Sequence, residues 1–351
     1  MSYEQWQAHP FLIHLRDLLQ TGSPPGHEFR MAKVIREKLI GMGYQPQTDP
    51  AGNILVRIPG SDAQAGLMVI AAHMDEIALV VTRIENDGTL RIDRSGKLDP
   101  EKIGEGPIDI IGDDDSLPPA ILSFGSGHAA RGPVTWPSVK VLTGLTPEQL
   151  EKRGVRVGST ATPPAWRRGP VLLGSSDNPL VAAWTFDDRG GMVTLLRLLE
   201  RIQSGGLKPT RPMIAAFTIH EEGGCHGAKA LCHREQPEIF IALDGTPMTP
   251  DTSLKLDGRP CVWSKDALTN YDPRLIRQLA HAAKQAGTSI QHVVMQGPYS
   301  DASSVYNVGG APRVATFGHV RENSHGFEVA PLKAFDLALE TLSVFIQTPI
   351  E

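Results

Sequence analysis

Cysteine, long apolar runs and runs of positive charge are all scarce in this chain. Three cysteines, Cys225, Cys232 and Cys261, stand among 351 residues. Three cannot all pair within one chain and none forms a CxxC, so a disulfide framework is excluded and reduced thiols in a cytoplasmic setting are expected. The longest apolar stretches, around 67–72 and 77–81, are far too short to span a bilayer, so no membrane partner is expected. No Lys/Arg run exceeds a pair such as Arg167-Arg168 and the formal net charge is −5, so nothing calls for a nucleic acid partner. The opening residues MSYEQWQAHPF carry a Glu, a His and a Pro where a signal peptide needs a basic start followed by an apolar run.

What is present reads as a globular enzyme-sized chain. Hydrophobic residues make up 40% and charged residues 21%, ordinary for a folded domain. The length predicts one main domain with a second, smaller one. An amphipathic stretch from about Tyr3 to Leu19 predicts a helix with Phe11, Leu12, Leu15, Leu18 and Leu19 on one face. A Gly-Ser-Pro-Pro-Gly turn at 22–26 ends it, and a second helix is expected from about His27 to Met42. Residues 67–72 form a continuous apolar run, as in a strand covered on both faces.

From about Ile77 to Leu180 the texture changes to short strand-like runs, Val171–Leu173 among them, between many Gly, Pro and Asp residues. After Trp184 helices and strands alternate again to the end of the chain. The expected fold class is therefore α/β, a mostly parallel sheet flanked by helices, interrupted by a small inserted β-barrel-like domain. The boundaries implied are 1–76 and 181–351 for the α/β domain and 77–180 for the insertion.

Polar clusters fall where expected strands end, the place where sites gather in open α/β sheets. His73-x-Asp75 puts two side chains on the same side of a strand end. Its imidazole could hold a metal while a carboxylate steadies the other ring nitrogen, although alone the pattern fits a merely hydrogen-bonded histidine better. Glu221-Glu222 is more telling. Two adjacent carboxylates after the run Met213-Ile-Ala-Ala-Phe-Thr-Ile are costly unless a positive charge neutralises them, and they suit a metal ligand beside a general base. Asp187 precedes a helix for which Asp188 fits the N-cap. Asp244 follows the run 239–243 and admits a turn reading with Gly245, and His325 admits a surface reading. Histidine and carboxylates without cysteine suit a catalytic zinc, cobalt or manganese site rather than a structural zinc.

The segments AAHMDEIALVV, TFDDRGG, IHEEGGCHGA, ALDGT and SHGFE, in this order, resemble the glutamyl-aminopeptidase and deblocking-aminopeptidase family of dinuclear metallo-exopeptidases. The resemblance covers nearly the whole chain, and the position of the β-rich insertion between Asp75 and Asp187 matches that branch. It implies a zinc-exopeptidase-type fold and two divalent cations per chain, zinc foremost with cobalt or manganese as alternatives. His73 and Asp244 would bind the first cation, Glu222 and His325 the second, and Asp187 would bridge them. Asp75 would orient His73, and Glu221 would be the general base for a water activated by both ions. Members of that family often assemble into tetrahedral dodecamers, so the resemblance implies a homo-oligomer, and the texture of the insertion and its position inside the α/β domain make it the expected place of part of the assembly.

The function expected is removal of amino-terminal residues from short peptides. One alternative is hydrolysis of a small non-standard amide or osmolyte dipeptide by the same machinery. Another, of a different class, is a non-catalytic metal-binding assembly protein. His220, His319 and Arg321 lie in segments flanking the ligands, and if some face inward they favour a substrate bearing a carboxylate or other acceptor near the scissile bond.

Overall fold

The computed structural model describes residues 6–126, 133–175 and 177–349. The first five residues of the chain, including the start of the helix expected from Tyr3, lie outside them. Its frame is an eight-stranded sheet in the order Gln47–Thr48, Ile54–Ile58, Met213–Thr218, Met68–His73, Ile239–Leu243, Arg313–Gly318, Cys261–Lys265, Gln291–Val294. The four central strands, Met213–Thr218 to Arg313–Gly318, run parallel. Ile54–Ile58 and Cys261–Lys265 flank them antiparallel, so the sheet is mixed and its parallel character is confined to the centre and one outer pair. Every residue of Met68–His73, Met213–Thr218, Ile239–Leu243 and Arg313–Gly318 is buried. That is why residues 68–72 and Ile239–Leu243 read as unbroken apolar runs rather than alternating ones.

Helices cover the sheet in two groups. Phe186–Gln203 packs on Met68–His73 and Ile239–Leu243, and carries Pro10–Leu19 and Leu332–Phe345 against it. Asp301–Asn307 packs on Ile239–Leu243 and Arg313–Gly318, beside His226–Glu235. Pro10–Leu19 starts with Pro at its first position, where the missing N–H costs nothing, and the His9 ring accepts from Phe11 N at 3.3 Å. Its buried face is Phe11, Leu12, Leu15, Leu18 and Leu19, each side chain contributing about 1.5–3 kcal/mol by leaving water. None of the described helices is long and apolar enough to cross a membrane.

Between Met68–His73 and the helix Phe186–Gln203, six short strands close into an antiparallel barrel. In order they are Ala78–Ile84, Leu90–Ser95, Lys140–Leu142, Pro119–Ser123, Gly106–Ile110 and Thr160–Thr162. The barrel has its own apolar centre, including Leu79, Val81, Ile92, Ile108, Leu122 and Val141, which Trp184 joins from outside. Val171–Leu173, read from sequence as part of this module, pairs instead with Leu180–Ala183, which pairs in turn with Glu328–Pro331. Local texture could not show the second pairing, because Glu328–Pro331 lies about 150 residues downstream of Leu180–Ala183.

A buried ionic network fixes the barrel to the sheet. Arg168 Nη1 donates to both carboxylate oxygens of Glu76 at 2.9 Å, and Ser23 N donates to Glu76 Oε1 at 2.9 Å. Arg189 lies 3.6 Å from the same carboxylate and donates to Ser23 Oγ and the Met74 carbonyl. Charges this deep are tolerated only when paired and hydrogen-bonded. The network therefore locks the end of Met68–His73, the 22–26 turn and the exit from the barrel into one arrangement. Gly22 sits inside it, where a Cβ would lie 2.6 Å from Thr162 Oγ1 and 2.8 Å from Arg168 Nη2.

Candidate active site

The carboxyl ends of the four central strands meet at one place, and each supplies a turn bearing titratable groups. His73 ends Met68–His73, Glu221 and Glu222 follow Met213–Thr218, Asp244 follows Ile239–Leu243, and Arg313–Gly318 leads into His319, Arg321 and His325. Asp187 arrives at the start of Phe186–Gln203, where its own backbone and that of Asp188 are not helical. The Asp188 carboxylate accepts from Gly191 N at 2.9 Å, as an N-cap does, and from His73 N at 3.2 Å. That leaves the Asp187 side chain directed at the centre of the site.

The seven residues singled out from sequence come together here. His73 Nε2 lies 2.9 Å from Asp187 Oδ1, and His325 Nε2 lies 3.4 Å from Asp187 Oδ2 and 3.8 Å from Glu222 Oε1. His325 Nδ1 is turned to the carbonyl of Lys97, at 2.8 Å, which fixes the ring so that Nε2 faces the carboxylates. Asp75 does more than stand beside His73. Its two oxygens accept the backbone N–H groups of Glu221 and Glu222, each at 2.9 Å, and its Oδ1 is 3.5 Å from His73 Nδ1. The Glu221-Glu222 turn is thus held by a carboxylate from the neighbouring strand, at the spacing two parallel strands impose.

Two groups of ligand atoms, each within 4.8 Å of one another, share one residue: His73, Asp187 and Asp244, and Asp187, Glu222 and His325. Glu222 Oε1 and Asp244 Oδ1 are buried without a hydrogen bond, which is costly unless something else satisfies them. Burial pushes the Asp244 carboxyl up to about 7, helped by the nearby Asp187 charge, and pushes Glu222 up to about 7 as well. Burial also raises Glu221, reinforced by Asp244 and Glu222. Asp187 goes the other way: burial would raise it, but the Arg321 cation and the two histidines hold it well below the usual carboxylate range. His325 is raised to about 9, the Glu222 and Asp187 charges outweighing its burial. Carboxylates this crowded, sharing histidines, fit divalent cations in both groups, by number, type and unsatisfied valence.

Three further residues complete the site. Glu328, fully buried, accepts from Asp187 N at 2.9 Å and His325 N at 3.0 Å, and lies 3.0 Å from Arg321 Nε. The Arg321 guanidinium also donates to Asp187 and lies 3.6 Å from Asp244 Oδ1. Gly96 lets the barrel approach: a Cβ there would lie 2.9 Å from Ile77 and 3.0 Å from Glu222 Oε2. Glu328 is the last residue of SHGFE, and no local pattern set it apart as a site residue. Nothing local marked Gly96.

The three flanking basic residues go to different places. Arg321 is buried among three carboxylates, and His319 is buried against Phe335 and Phe186, its ring pushed down to about 3 by burial and Arg321. His220 turns to Glu28 and faces a separate groove beside the helix Phe29–Gly41. His319 thus points into protein and His220 away from the ligands, whereas Arg321 lines the cavity above the ligands with its guanidinium held by Asp187. Above the ligands opens a cavity of about 380 Å3, with Tyr299 and Trp263 on its wall and Lys97 and Lys102 among its lining.

Residues 52–340 match the family described as M42 glutamyl aminopeptidase. The chain is 24% identical to the glutamyl aminopeptidase of Lactococcus lactis subsp. cremoris, over 90% of this chain and 89% of that protein. Among solved structures, an aminopeptidase of the archaeon Desulfurococcus kamchatkensis superposes with a TM-score of 0.86 at 24% identity, covering 98% of this chain and 96% of that one. The TET1 peptidase of Pyrococcus horikoshii, described as assembling into a tetrahedron or a large octahedral shell, superposes at 0.84 with 20% identity, over 97% and 100% of the two chains. The amide-hydrolase and non-catalytic readings find no support in these matches.

Proposed function

Because this chain belongs to the M42 glutamyl aminopeptidase family and is thus a metal-dependent aminopeptidase, we propose that it removes amino-terminal residues from short peptides using two divalent cations. His73 and Asp244 would hold the first, Glu222 and His325 the second, and Asp187 would serve both. The observation that carries this reading is the position of Asp187 in both ligand groups. Zinc suits the nitrogen and oxygen donors, as do cobalt and manganese. When bound, the cations supply Lewis acidity toward the scissile carbonyl and make water a better nucleophile.

The protein's own residues do the rest. Glu221 lines the cavity beside the ligands, and its carboxylate accepts the proton of the attacking water and delivers it to the departing amine. Asp75 positions Glu221 and Glu222 together through their backbone N–H groups. Glu328 and Arg321 hold Asp187 and the 320–325 segment in place. A cavity of about 380 Å3 suits a short peptide end more than the middle of a folded chain.

We also read residues 77–180 as an inserted domain that shapes access to the cavity and contributes to a homo-oligomer in the cytoplasm. Exposed apolar side chains support this: Ile121 and Leu142 on barrel strands, Trp166, and Val171 and Leu173 on a strand paired along one edge among the described residues. Exposed apolar patches and open strand edges are characteristic of association surfaces. Light scattering at micromolar concentration is expected to show an oligomer, and a monomer would refute this.

The functional reading is tested with peptides of two to six residues, free or acetylated at the amino terminus, in the presence of zinc, cobalt or manganese. Stepwise release of amino-terminal residues from the free peptides is expected. Efficient internal cleavage of acetylated peptides would overturn the exopeptidase assignment.

A further inference from the structure

A third group of donor atoms lies next to the ligand pair and shares no residue with it. Glu221, Cys225 and Asp301 bring a carboxylate oxygen, a thiol and a second carboxylate oxygen within 4.8 Å of one another. Cys225 Sγ is 3.7 Å from Glu221 Oε1, and its side chain is fully buried. Asp301, 3% exposed, accepts from the Thr218 hydroxyl at 2.8 Å through Oδ2, while its Oδ1 is buried without a hydrogen bond. An orphaned carboxylate oxygen beside a thiol and a second carboxylate is an unfinished coordination shell.

The fold explains the meeting. Cys225 is the N-cap of His226–Glu235 and sits at φ 58, in the left-handed region that a side chain occupies only when its surroundings hold it there. Asp301 opens the helix Asp301–Asn307, which is capped by the Ser300 hydroxyl accepting from Ala302 N. The two helices pack together, bringing their first residues to the Glu221 side of the turn.

We propose that Glu221, Cys225 and Asp301 form a third cation site, which takes one thiophilic divalent ion, such as cadmium or excess zinc, and inhibits the enzyme by occupying the Glu221 carboxylate. On binding, the Sγ proton leaves to solvent and the thiolate remains on the cation, with no change in oxidation state. The sulfur gives this site a preference that the purely nitrogen and oxygen donors of the other two groups lack. The inhibition rests on the role given to Glu221 above, whereas the binding does not.

Cadmium titration of the cation-loaded enzyme separates the two. The thiolate–cadmium charge-transfer absorption in the ultraviolet reports this site even if cadmium exchanges elsewhere, since neither of the other groups contains sulfur. One such band per chain is expected, retained in Cys232→Ala and lost in Cys225→Ala. The cadmium concentration for half-inhibition of peptide hydrolysis should rise at least tenfold in Cys225→Ala. Asp301→Asn should raise the concentration needed for the band at least tenfold, and it decides the matter should Cys225→Ala fail to fold. No band in the parent enzyme, or a band that survives Cys225→Ala, overturns the site. A saturated band with hydrolysis unimpaired leaves the site standing but overturns the inhibition, and with it the assignment of Glu221 as base.

Discussion

Glu221→Gln is expected to lower kcat by about 10²–10⁴-fold, the usual contribution of a positioned general base, while KM, cation content and thermal stability stay close to those of the parent. The structure separates this residue from its neighbour. Glu222 belongs to the ligand group with Asp187 and His325, whereas Glu221 belongs to neither group that contains Asp187. Glu222→Gln should therefore lose one cation per chain and regain part of its activity when the metal concentration is raised. Metal analysis of both variants beside steady-state kinetics makes the comparison. If Glu221→Gln loses the cation and Glu222→Gln keeps it, the two roles are exchanged.

Removal of the cations by a chelator is expected to abolish turnover and to lower Tm by an amount that grows with pH. In the cation-free protein Asp244 and Glu222 are raised to about 7, first of all by burial, and His325 is raised to about 9 by the Glu222 and Asp187 charges against its burial. A folded-state pKa above the unfolded value, which is about 4 for carboxyls and about 6.5 for histidine, means that the folded protein holds more protons. Stability then falls as pH rises through that interval. The two carboxyls lose their contribution between about pH 4 and 7, and His325 loses its own between about 6.5 and 9. Cations replace those protons and bind only the folded site. The Tm gap between loaded and stripped protein should therefore widen from pH 5 to pH 8, and cation uptake at pH 7 should release protons, measurable by calorimetry in buffers of different ionisation enthalpy. A gap that narrows with pH would show that the ligands do not titrate as a buried cluster.

Much of this was legible in the residues because its causes are local. The helix face Phe11, Leu12, Leu15, Leu18 and Leu19 follows from 3.6-residue spacing, and all five side chains are buried. The strand Ile239–Leu243 follows from an unbroken apolar run bounded by polar residues. Asp188 was legible as a cap because capping involves residues three apart. Strand ends followed by His, Asp or paired Glu marked the site, since a parallel sheet brings such ends to one edge whatever the loops do between them.

Other features depended on partners far away in sequence. Cys261–Lys265 gave no distinct strand signal, since Ser264 and Lys265 end its apolar run after three residues, and it exists as a strand because Arg313–Gly318 and Gln291–Val294 pair with it. The barrel strands Lys140–Leu142 and Thr160–Thr162 have three residues each, too few for any periodicity to show. Arg321 lies against Asp187, Asp244 and Glu328, which the sequence could not show, because only the folded chain shows which charges surround a side chain.

The sequence by itself determined the class of fold, the order of the site residues along the chain and the chemistry their types allow. Hydrophobic period, capping and donor type are properties of a few neighbouring residues. The tertiary structure decided the geometry: the distances at which Asp187 stands in both ligand groups, the bracing of those groups by Glu328 and Asp75, and the meeting of Cys225 and Asp301 beside Glu221. Those relations join residues far apart in the sequence, 146 positions in the case of Asp75 and Glu221. Their distances are set by strand pairing and helix packing, which no local stretch of sequence encodes.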